Sequence, residues 1–240
     1  MKLAGKHVVV TGGSRGIGEQ LAREFAAQGA RVTVVARSVD ALQRVAADIG
    51  GTAVVADLTD DSVVDRLIQN IERDHGHIDV LVNNAGIIIR ESMDSPNVSE
   101  NFERTMNVNV MGTFLPTQAW LPALRKTRGC IVNVASIASS SGLAGVVGYS
   151  PSKGAVKMLT QALASELAKD GVRVNAIAPG VIETPMTAAT RDAPEKLEKF
   201  MARTPMARVG QAEELIGPVV FLASAMATYI TGITLPVDGG

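Results

Sequence analysis

Tyr149 and Lys153 stand four residues apart in a segment with a helical pattern, so their side chains share one face of a helix. A free tyrosine has a pKa of about 10, which is too high for a good base near neutral pH. An ammonium group beside the ring favours the phenolate and lowers that pKa. The pair is therefore predicted to exchange a proton with an oxygen atom of a bound molecule.

A third side chain with suitable chemistry, Ser136, directly follows the apolar run Gly129–Ala135, which is predicted to be a strand. Ligands of α/β sheets bind beyond the carboxyl ends of the strands, and Ser136 lies at that edge. Its hydroxyl can donate a hydrogen bond to a substrate oxygen on which negative charge develops. The nearby Ser139, Ser140 and Ser141 are interpreted as loop residues.

A glycine-rich turn, Thr-Gly-Gly-Ser-Arg-Gly-Ile-Gly, occupies positions 11–18 between a predicted strand and a predicted helix. Its glycines Gly12, Gly16 and Gly18 permit a tight turn and let the backbone approach a diphosphate closely. The N-terminus of the helix adds unpaired N–H groups and a favourable dipole. This context predicts a site for the phosphates of a nucleotide.

Short β-branched runs alternate with amphipathic helical patterns along the chain. Strands are predicted at His7–Thr11, Arg31–Ala36, Thr52–Ala56, Ile78–Val82, Gly129–Ala135, Val172–Ala178 and Ile233–Pro236. Helices are predicted at Gly16–Gln28, Val39–Ile49, Asp61–His75, Ser99–Leu124, Tyr149–Lys169 and Ala212–Ala223. Several strands are apolar on both faces, which indicates a parallel sheet covered by helices on both sides. The order predicts one α/β domain, residues 1–240, with a doubly wound parallel sheet of the Rossmann type.

The segment Glu183–Gly210 interrupts this alternation with prolines and scattered charges. It is too long for a plain connection, so it is predicted to be a substrate-binding loop or lid that contains some helix. Apolar side chains in this segment and after Ser136 suggest a hydrophobic substrate pocket. They are Leu143, Val146, Val147, Met186, Phe200, Met201 and Met206.

Composition excludes some functions. The net charge of −1 gives no electrostatic argument for binding nucleic acid or an anionic membrane. No stretch approaches the roughly 18 apolar residues of a membrane span, and no signal-peptide core is visible, so the expected compartment is the cytoplasm. Cys130 is the only cysteine and is predicted to be a core residue. The histidines His7, His75 and His77 lack the spacing of metal ligands, so no metal is predicted.

Taken together, the motifs resemble those of the short-chain dehydrogenase/reductase family. The glycine turn has the spacing T-G-x-x-x-G-x-G, and Asn83–Gly86 reads N-N-A-G after the fourth predicted strand. Asn109 matches the family's helix asparagine, and Tyr149 with Lys153 forms its Y-x-x-x-K pair. Further matches are Asn175–Gly180 followed by Thr184, and the C-terminal segments Tyr229–Gly232 and Val237–Gly240. The resemblance covers nearly the whole chain.

The resemblance implies an oxidoreductase that transfers hydride between a nicotinamide cofactor and a carbonyl or secondary-alcohol carbon. Its implied catalytic residues are Asn109, Ser136, Tyr149 and Lys153. Lys153 would also hold the nicotinamide ribose, and Asn109 would anchor a water that returns protons through Lys153. The implied cofactor-binding residues are Gly12, Ser14, Arg15, Gly16, Ile17, Gly18, Arg37, Ser38, Asp57, Leu58, Asn84, Ala85, Gly86, Tyr149, Lys153, Pro179, Gly180, Ile182 and Thr184. Asp57 would meet the adenine, cap the following helix, or do both.

The residues after the second predicted strand favour NADP(H) over NAD(H). Dinucleotide folds that select NAD place an acidic residue there, whereas this sequence has Arg37. A guanidinium can pair in bidentate fashion with a ribose 2′-phosphate, and Arg15 in the glycine turn adds a second cation. Ser38 is interpreted chiefly as the cap of the next helix, with a phosphate contact as the alternative.

The sequence leaves the substrate open. The chain is similar to the 3-oxoacyl-carrier-protein reductases, which usually carry a basic residue for the acidic carrier where this sequence has Asp170. Arg128 and Arg173 are nearby cations that could compensate. A small or medium ketone, a sugar or a polyol fits equally well. An NADP-binding scaffold or sensor without catalysis is the alternative of another class, and the complete set of catalytic residues argues against it.

Two predicted helices, Ser99–Leu124 and Tyr149–Lys169, look apolar enough to pack between subunits. Members of the family are commonly tetramers that pack through these helices and the C-terminal strand. The resemblance therefore implies a homotetramer, with a dimer as the alternative.

Overall fold

Seven strands form one sheet in which every neighbouring pair is parallel. They are β1 His7–Thr11, β2 Arg31–Ala36, β3 Thr52–Val55, β4 Val80–Asn83, β5 Cys130–Val134, β6 Arg173–Pro179 and β7 Thr234–Val237. Their spatial order is β3-β2-β1-β4-β5-β6-β7. This computed structural model describes residues 3–60, 62, 64, 71, 73 and 75–240. The doubly wound parallel α/β fold predicted from the sequence is confirmed.

Helices connect the strands. Those in the described part of the chain are α1 Gly16–Ala27, α2 Val39–Ile49, α3 Val98–Met106, α4 Gly112–Thr127, α5 Tyr149–Leu167, α6 Ala188–Arg191, α7 Pro194–Met201 and α8 Ile216–Ala223. The predicted helix Asp61–His75 falls mostly outside the described residues. The predicted helix Ser99–Leu124 is divided, because a π-helical turn at Asn107–Met111 separates α3 from α4.

Both faces of the sheet are buried, as the apolar runs indicate. Along β1, Val8 and Val10 pack into one apolar cluster, whereas Val9 points into the cluster on the opposite face. The first cluster includes Phe25 of α1, and the second includes Trp120 of α4. This alternation follows from the two-residue period of a strand. The helices therefore cover the sheet on both sides and leave its carboxyl edge as the place for a site.

A network of buried polar side chains crosses the middle of the sheet. Asn83 of β4 stands opposite Asn133 of β5 and donates to its Oδ1 at 2.9 Å. Asn83 also donates to the Thr117 hydroxyl of α4 at 3.0 Å, and Asn133 donates to the Thr160 hydroxyl of α5 at 2.9 Å. All four side chains are buried. Because buried polar groups need partners, the network fixes α4 and α5 on the two central strands.

Cys130 is buried in β5, as predicted, and burial raises the pKa of its thiol to about 11. His7 is also buried, and its Nε2 lies 2.9 Å from the Thr33 hydroxyl. The described residues contain no group of three or more His, Cys, Asp or Glu side chains placed to hold a metal ion. None of the described helices has the length and apolar character that crossing a membrane requires.

The Asn133 network gives a prediction on stability. Asn133→Ala leaves a buried N–H of Asn83 without an acceptor, so the free energy of unfolding is expected to fall by about 1–3 kcal/mol. Urea denaturation followed by circular dichroism measures the change. The control Asn97→Ala removes an exposed side chain that makes no capping hydrogen bond, and it should change stability by less than about 0.5 kcal/mol. Equal effects of both substitutions would contradict the role of the network.

Candidate active site

A cleft of about 420 Å³ opens at the carboxyl edge of the sheet, near the reversal of strand order between β1 and β4. Open α/β sheets bind ligands at such a switch point. Most of the sequence-predicted cofactor residues line this cleft. They are Gly12, Ser14, Arg15, Gly16, Ile17, Arg37, Ser38, Asp57, Leu58, Asn84, Ala85, Gly86 and Thr184. The fold thus gathers these residues from five separate segments around one cavity.

The glycine turn between β1 and α1 has room for backbone only. Gly12 has a φ of 66°, and a Cβ there would lie 2.8 Å from Asn84 Nδ2. A Cβ on Gly18 would collide with the Gly12 carbonyl, so Gly18 packs behind the turn and does not line the cleft. Helix α1 begins at Gly16 with its first N–H groups at the cleft, and a diphosphate fits such a cradle.

Two side chains clasp the glycine turn to the segment that follows β4. Asn84 Nδ2 donates to the carbonyls of Thr11 and Gly12 at 3.0 and 3.1 Å. The Thr11 hydroxyl accepts from the backbone N–H groups of Asn84 and Ala85 at 3.0 and 3.1 Å. The amide of Asn84 therefore shapes the turn, and its N–H groups are already used. Sequence reasoning assigned no role to Thr11, although it opens the glycine motif.

The two arginines of the NADP prediction line the same cleft. Arg15 is exposed at the N-cap of α1, and Arg37 Nη1 lies 3.6 Å from Asp57 Oδ2. This pair is long and solvent-exposed, so it adds little stability and leaves Arg37 able to bind an anion. Ser38 occupies the N-cap of α2 but makes no capping hydrogen bond, so its interpretation as a cap is wrong.

Asp57 stabilises the turn that follows β3, whereas the helix it was predicted to cap begins outside the described residues. Its Oδ1 accepts from the backbone N–H and the hydroxyl of Thr59, at 3.0 and 2.7 Å. Burial by itself would raise the pKa of Asp57, but these hydrogen bonds and the Arg37 charge lower it overall. The carboxylate is therefore charged at neutral pH and faces the cleft beside Arg37.

Tyr149, Lys153 and Ser136 converge beside this cleft. Tyr149 begins α5, and Ser136 follows β5 and lies close enough to the Tyr149 phenol to lower its pKa against the effect of burial. Lys153 is 5% exposed, and its Nζ donates to the Val134 carbonyl at 2.7 Å. A Cβ on Gly86, a residue of the cleft lining, would lie 3.5 Å from Lys153 Nζ. Lys153 therefore lies beside one end of the cavity, although Ser136, Tyr149 and Lys153 are themselves not part of its lining.

The pKa of Tyr149 differs from the sequence-based expectation of a lowered value. Burial raises the pKa of the phenol, and the Ser136 hydroxyl and the charge of Arg90 only partly oppose this effect. Lys153 Nζ lies 5.9 Å from the centre of the tyrosine ring, over its face. Burial lowers the pKa of Lys153 to about 8, so the side chain still carries its positive charge at pH 7. Without a bound cofactor, Tyr149 is thus a protonated phenol at neutral pH.

Asn109 is fully buried at the π-helical turn and connects two parts of the site. Its Oδ1 accepts from the Ile87 N–H at 2.8 Å, and its Nδ2 donates to the Ile87 carbonyl and the Ser152 hydroxyl, both at 2.9 Å. Ser152 in turn donates to the Tyr149 carbonyl at 2.7 Å. The amide of Asn109 therefore joins the loop after β4 to the first turn of α5. Sequence reasoning missed Ser152, although it immediately precedes Lys153.

The segment after β6 contributes less to the cleft than predicted. Thr184 lines it, but Pro179, Gly180 and Ile182 lie behind it. A Cβ on Gly180 would lie 2.8 Å from the Asp238 Cα, so this glycine permits close packing against the C-terminal residues. The Ile182 side chain is buried in the apolar core. For these three residues, any cofactor contact would have to come from the backbone.

The segment Glu183–Gly210, which is predicted to be a substrate-binding loop or lid with some helix, contains α6 and α7. Its ends are joined, because Glu183 N donates to the Gly210 carbonyl at 2.8 Å and Gly210 N donates to the Val181 carbonyl at 3.0 Å. We call residues 183–210 the lid. Pro185 and Met186 of the lid line the cleft. Sequence reasoning missed Arg90, which contacts the lid at Thr190, 100 residues further along the chain.

The fold and the site define the class of the protein: an oxidoreductase with a dinucleotide-type cleft and a Ser-Tyr-Lys group at one end. A family model described as enoyl-(acyl carrier protein) reductase matches residues 12–240. Meso-2,3-butanediol dehydrogenase of Serratia marcescens is 36% identical over all of this chain and 96% of its own length. The 3-oxoacyl-[acyl-carrier-protein] reductase of Thermotoga maritima is 38% identical over 100% of this chain and 99% of its own.

Solved structures agree with this likeness. A putative NAD(P)-dependent gluconate 5-dehydrogenase from Beutenbergia cavernae, with bound NADP, superposes with a TM-score of 0.93. It is 40% identical and covers 100% of this chain and 97% of its own. The chain belongs to the short-chain dehydrogenase/reductase family.

The burial of Lys153 predicts a trade-off between stability and activity. The pKa of Lys153 falls from 10.5 to about 8, so the folded state binds its proton less tightly than the unfolded state. Below pH 8 both states are protonated and the folded protein bears the full cost of the buried charge. Lys153→Met is expected to abolish turnover yet to stabilise the cofactor-free protein by about 2 kcal/mol at pH 7, net of the lost hydrogen bond.

The stabilisation by Lys153→Met should diminish as pH rises from 8 to 10.5, because the wild-type lysine loses its proton over that range. Urea denaturation of both proteins across this pH range measures the difference. Lys157→Met, one turn further along α5, is the control and should change stability by less than about 0.5 kcal/mol. A difference that is independent of pH, or a destabilised Lys153→Met protein, would contradict the prediction.

Proposed function

We propose that the protein is an NADP(H)-dependent oxidoreductase that interconverts a carbonyl compound and a secondary alcohol, with Tyr149 as the general acid and base. The observation that carries the proposal is the convergence of Tyr149, Ser136 and Lys153 beside Gly86, at the end of the cleft. Relatives named for a diol, a sugar acid and an oxoacyl group all act on carbon atoms that bear oxygen.

The chain's own residues would handle the proton and the developing charge. NADPH, when bound, supplies the hydride to the carbonyl carbon. Tyr149 gives its phenolic proton to the substrate oxygen, and its raised pKa keeps that proton available at neutral pH. Ser136 donates a hydrogen bond to the same oxygen as negative charge develops on it. Lys153 holds the nicotinamide ribose hydroxyls, and its positive charge favours the phenolate that remains.

The remaining cleft residues would bind the cofactor in sequence from one end to the other. The turn Gly12–Gly18 and the N-terminus of α1 receive the diphosphate. Arg15 and Arg37 would bind the ribose 2′-phosphate. The Ser38 hydroxyl makes no capping hydrogen bond, so it is available to donate a hydrogen bond to the same phosphate. Asp57 and Leu58 would contact the adenine. Asn84–Gly86 and the backbone of residues 179–184 would contact the nicotinamide half.

A carrier-linked 3-oxoacyl substrate is the second candidate, and it is favoured by the likeness to the Thermotoga maritima reductase. The contacts of two residues speak against it. Asp170 accepts from Arg125 at 2.8 Å, so an acidic group remains in the region. Arg173 donates to the carbonyls of Leu222 and Ser224 at 2.7 and 3.2 Å, so it is not free to compensate. We therefore favour a free small-molecule substrate.

The non-catalytic scaffold is less well supported, because the set Asn109, Ser136, Tyr149 and Lys153 is complete and the relatives are named as dehydrogenases and reductases. The homotetramer and the cytoplasmic location stay predictions. Size-exclusion chromatography with light scattering measures the oligomeric state.

Tyr149→Phe tests the proposed chemistry. Loss of the general acid is expected to lower kcat by about 100- to 10,000-fold, while NADPH still binds, because the substitution removes one hydroxyl only. A panel of ketones followed by the absorbance of NADPH measures turnover, and fluorescence titration measures binding. Tyr229→Phe is the matched control, since the only other tyrosine is fully exposed at 103%. Undiminished turnover in Tyr149→Phe, or no turnover by the wild type with any carbonyl, would refute the proposal.

Arg37→Asp tests the cofactor assignment. The substitution replaces a cation at the 2′-phosphate by a carboxylate that repels it, so the NADPH affinity is expected to fall by about 10- to 100-fold. NADH should be affected far less, and the preference should move toward NADH. Arg44→Asp, an exposed change of the same charge on α2, should keep the NADPH preference. Unchanged selectivity in Arg37→Asp would exclude this phosphate site.

A further inference from the structure

Arg90 lies between the catalytic edge and the lid. It follows Gly86 by four residues on the loop that leaves β4. Its Nη2 donates to the Thr190 hydroxyl of the lid at 3.1 Å, and its Nη1 approaches the Met186 carbonyl at 3.5 Å. Met186 belongs to the lining of the cleft. One edge of the guanidinium is therefore held at the lid, close to the end of the cavity.

The residue after Arg90 ties the same loop to the segment in front of Tyr149. Glu91 N donates to the Gly145 carbonyl at 3.0 Å, and Glu91 forms a parallel bridge with Val146. Tyr149 N donates to the Val146 carbonyl at 3.0 Å. The backbone thus places Arg90 next to the start of the catalytic helix. The same proximity explains why the Arg90 charge lowers the pKa of the Tyr149 phenol against the effect of burial.

The positive charge of Arg90 has no counter-ion within the part of the chain that the structure describes. Glu91 accepts from Asn101 at 3.0 Å, and Asp94 accepts from Ser92 at 3.2 Å, so the nearest acids along the chain bond elsewhere. Arg191 of the lid differs, because it pairs with Glu183 at 3.2 Å. Arg90 is therefore a cation at the catalytic end of the cleft whose charge is not balanced by a neighbouring carboxylate.

The remaining donors of Arg90 suit a carboxylate. A guanidinium has five N–H groups, and two are directed at the lid, so three remain. Two of these can bind both oxygens of one carboxylate, an arrangement that is stronger than a single neutral hydrogen bond. The phosphates of the cofactor have their own cations, Arg15 and Arg37, in the other part of the cleft. Arg90 is solvent-exposed, so a carboxylate of a bound substrate could reach its remaining donors.

We infer that Arg90 determines substrate specificity by binding a carboxylate of the substrate, so that the protein acts on hydroxy acids and the corresponding oxo acids. The inference rests on the proposed function and specifies its substrate class. Binding of the carboxylate beside Tyr149 and the lid would orient the carbon that carries the reacting oxygen. Neutral alcohols and ketones lack this contact and would be poorer substrates.

The test compares each acid with its neutral amide, which differs from it mainly in charge. The probes are gluconate with gluconamide and lactate with lactamide, oxidised with NADP⁺ by the full-length protein. For at least one pair the wild type is expected to favour the acid in kcat/KM by about 10- to 100-fold. Arg90→Gln should remove that preference by weakening the acid only. Arg104→Gln removes an exposed cation of α3 and should keep the preference.

Thr190→Val distinguishes two roles of Arg90. In one role Arg90 binds the substrate carboxylate, and in the other it only holds the lid in place. The substitution removes the hydroxyl that Arg90 contacts but leaves the arginine in place, so the preference for the acid should persist. Equal kcat/KM values for acid and amide in the wild type would overturn the inference. An Arg90→Gln protein that loses activity equally toward both compounds, as expected if Arg90 only holds the lid, also overturns it.

Binding without turnover distinguishes this inference from the proposed function. Isothermal titration of the NADP⁺-saturated protein with each acid and amide should show tighter binding of an acid in the wild type and no difference in Arg90→Gln. This result without any turnover would refute the proposed reaction and leave the carboxylate site standing. Binding of neither acid, or equal binding of acid and amide, would refute the site.

Discussion

The clasp between the carboxyl ends of β1 and β4 is the interaction on which the site depends. The chain leaves these neighbouring strands in opposite directions, so a cleft opens between the two loops. Asn84 and Thr11 close the base of this opening by satisfying each other's backbone groups. Because Gly12 and Gly18 leave no room for a Cβ, the turn holds the shape that a diphosphate requires. The cofactor cleft is thus built from backbone that the sheet itself positions.

Burial shifts the pKa values of both ionisable side chains at the candidate catalytic end, Lys153 and Tyr149. Lys153 is buried with a single carbonyl partner, and its pKa falls accordingly. Burial has the opposite effect on Tyr149, since it disfavours the phenolate. In the cofactor-free protein the phenol therefore keeps its proton at neutral pH, as the proposed role of Tyr149 as a general acid requires. Asn109 and Ser152 keep the catalytic helix in register with the loop after β4, which maintains this arrangement.

The lid contacts Arg90, which lies close to the start of the helix that carries Tyr149. Hydrogen bonds between residues 181–183 and Gly210 join the two ends of the lid to each other, while Thr190 of α6 contacts Arg90. A segment anchored in this way can move as a unit about its base. The carboxylate contact proposed for Arg90 and its observed contact with Thr190 would therefore act through the same side chain.

The sequence by itself predicted most of the helices and strands and the candidate catalytic group. β1, β2 and α2 begin and end where the two-residue and 3.6-residue periods predict, because those patterns are local consequences of burial on two faces or one. The Y-x-x-x-K spacing and the serine at a strand end place Tyr149, Lys153 and Ser136 at one edge without knowledge of any long-range contact. The glycine turn is equally local.

Only the tertiary structure determined the burial, the contacts and the pKa values of those residues. The π-helical turn at Asn109 depends on a contact with Ile87, 22 residues away, and it divides a segment whose pattern reads as one helix. The raised pKa of Tyr149 results from burial by distant elements, so the spacing to Lys153 could not reveal it. The same holds for Arg90, whose lid partner is 100 residues away. Periodicity records which residues face inward, whereas solvation and charge depend on which groups the fold brings into contact.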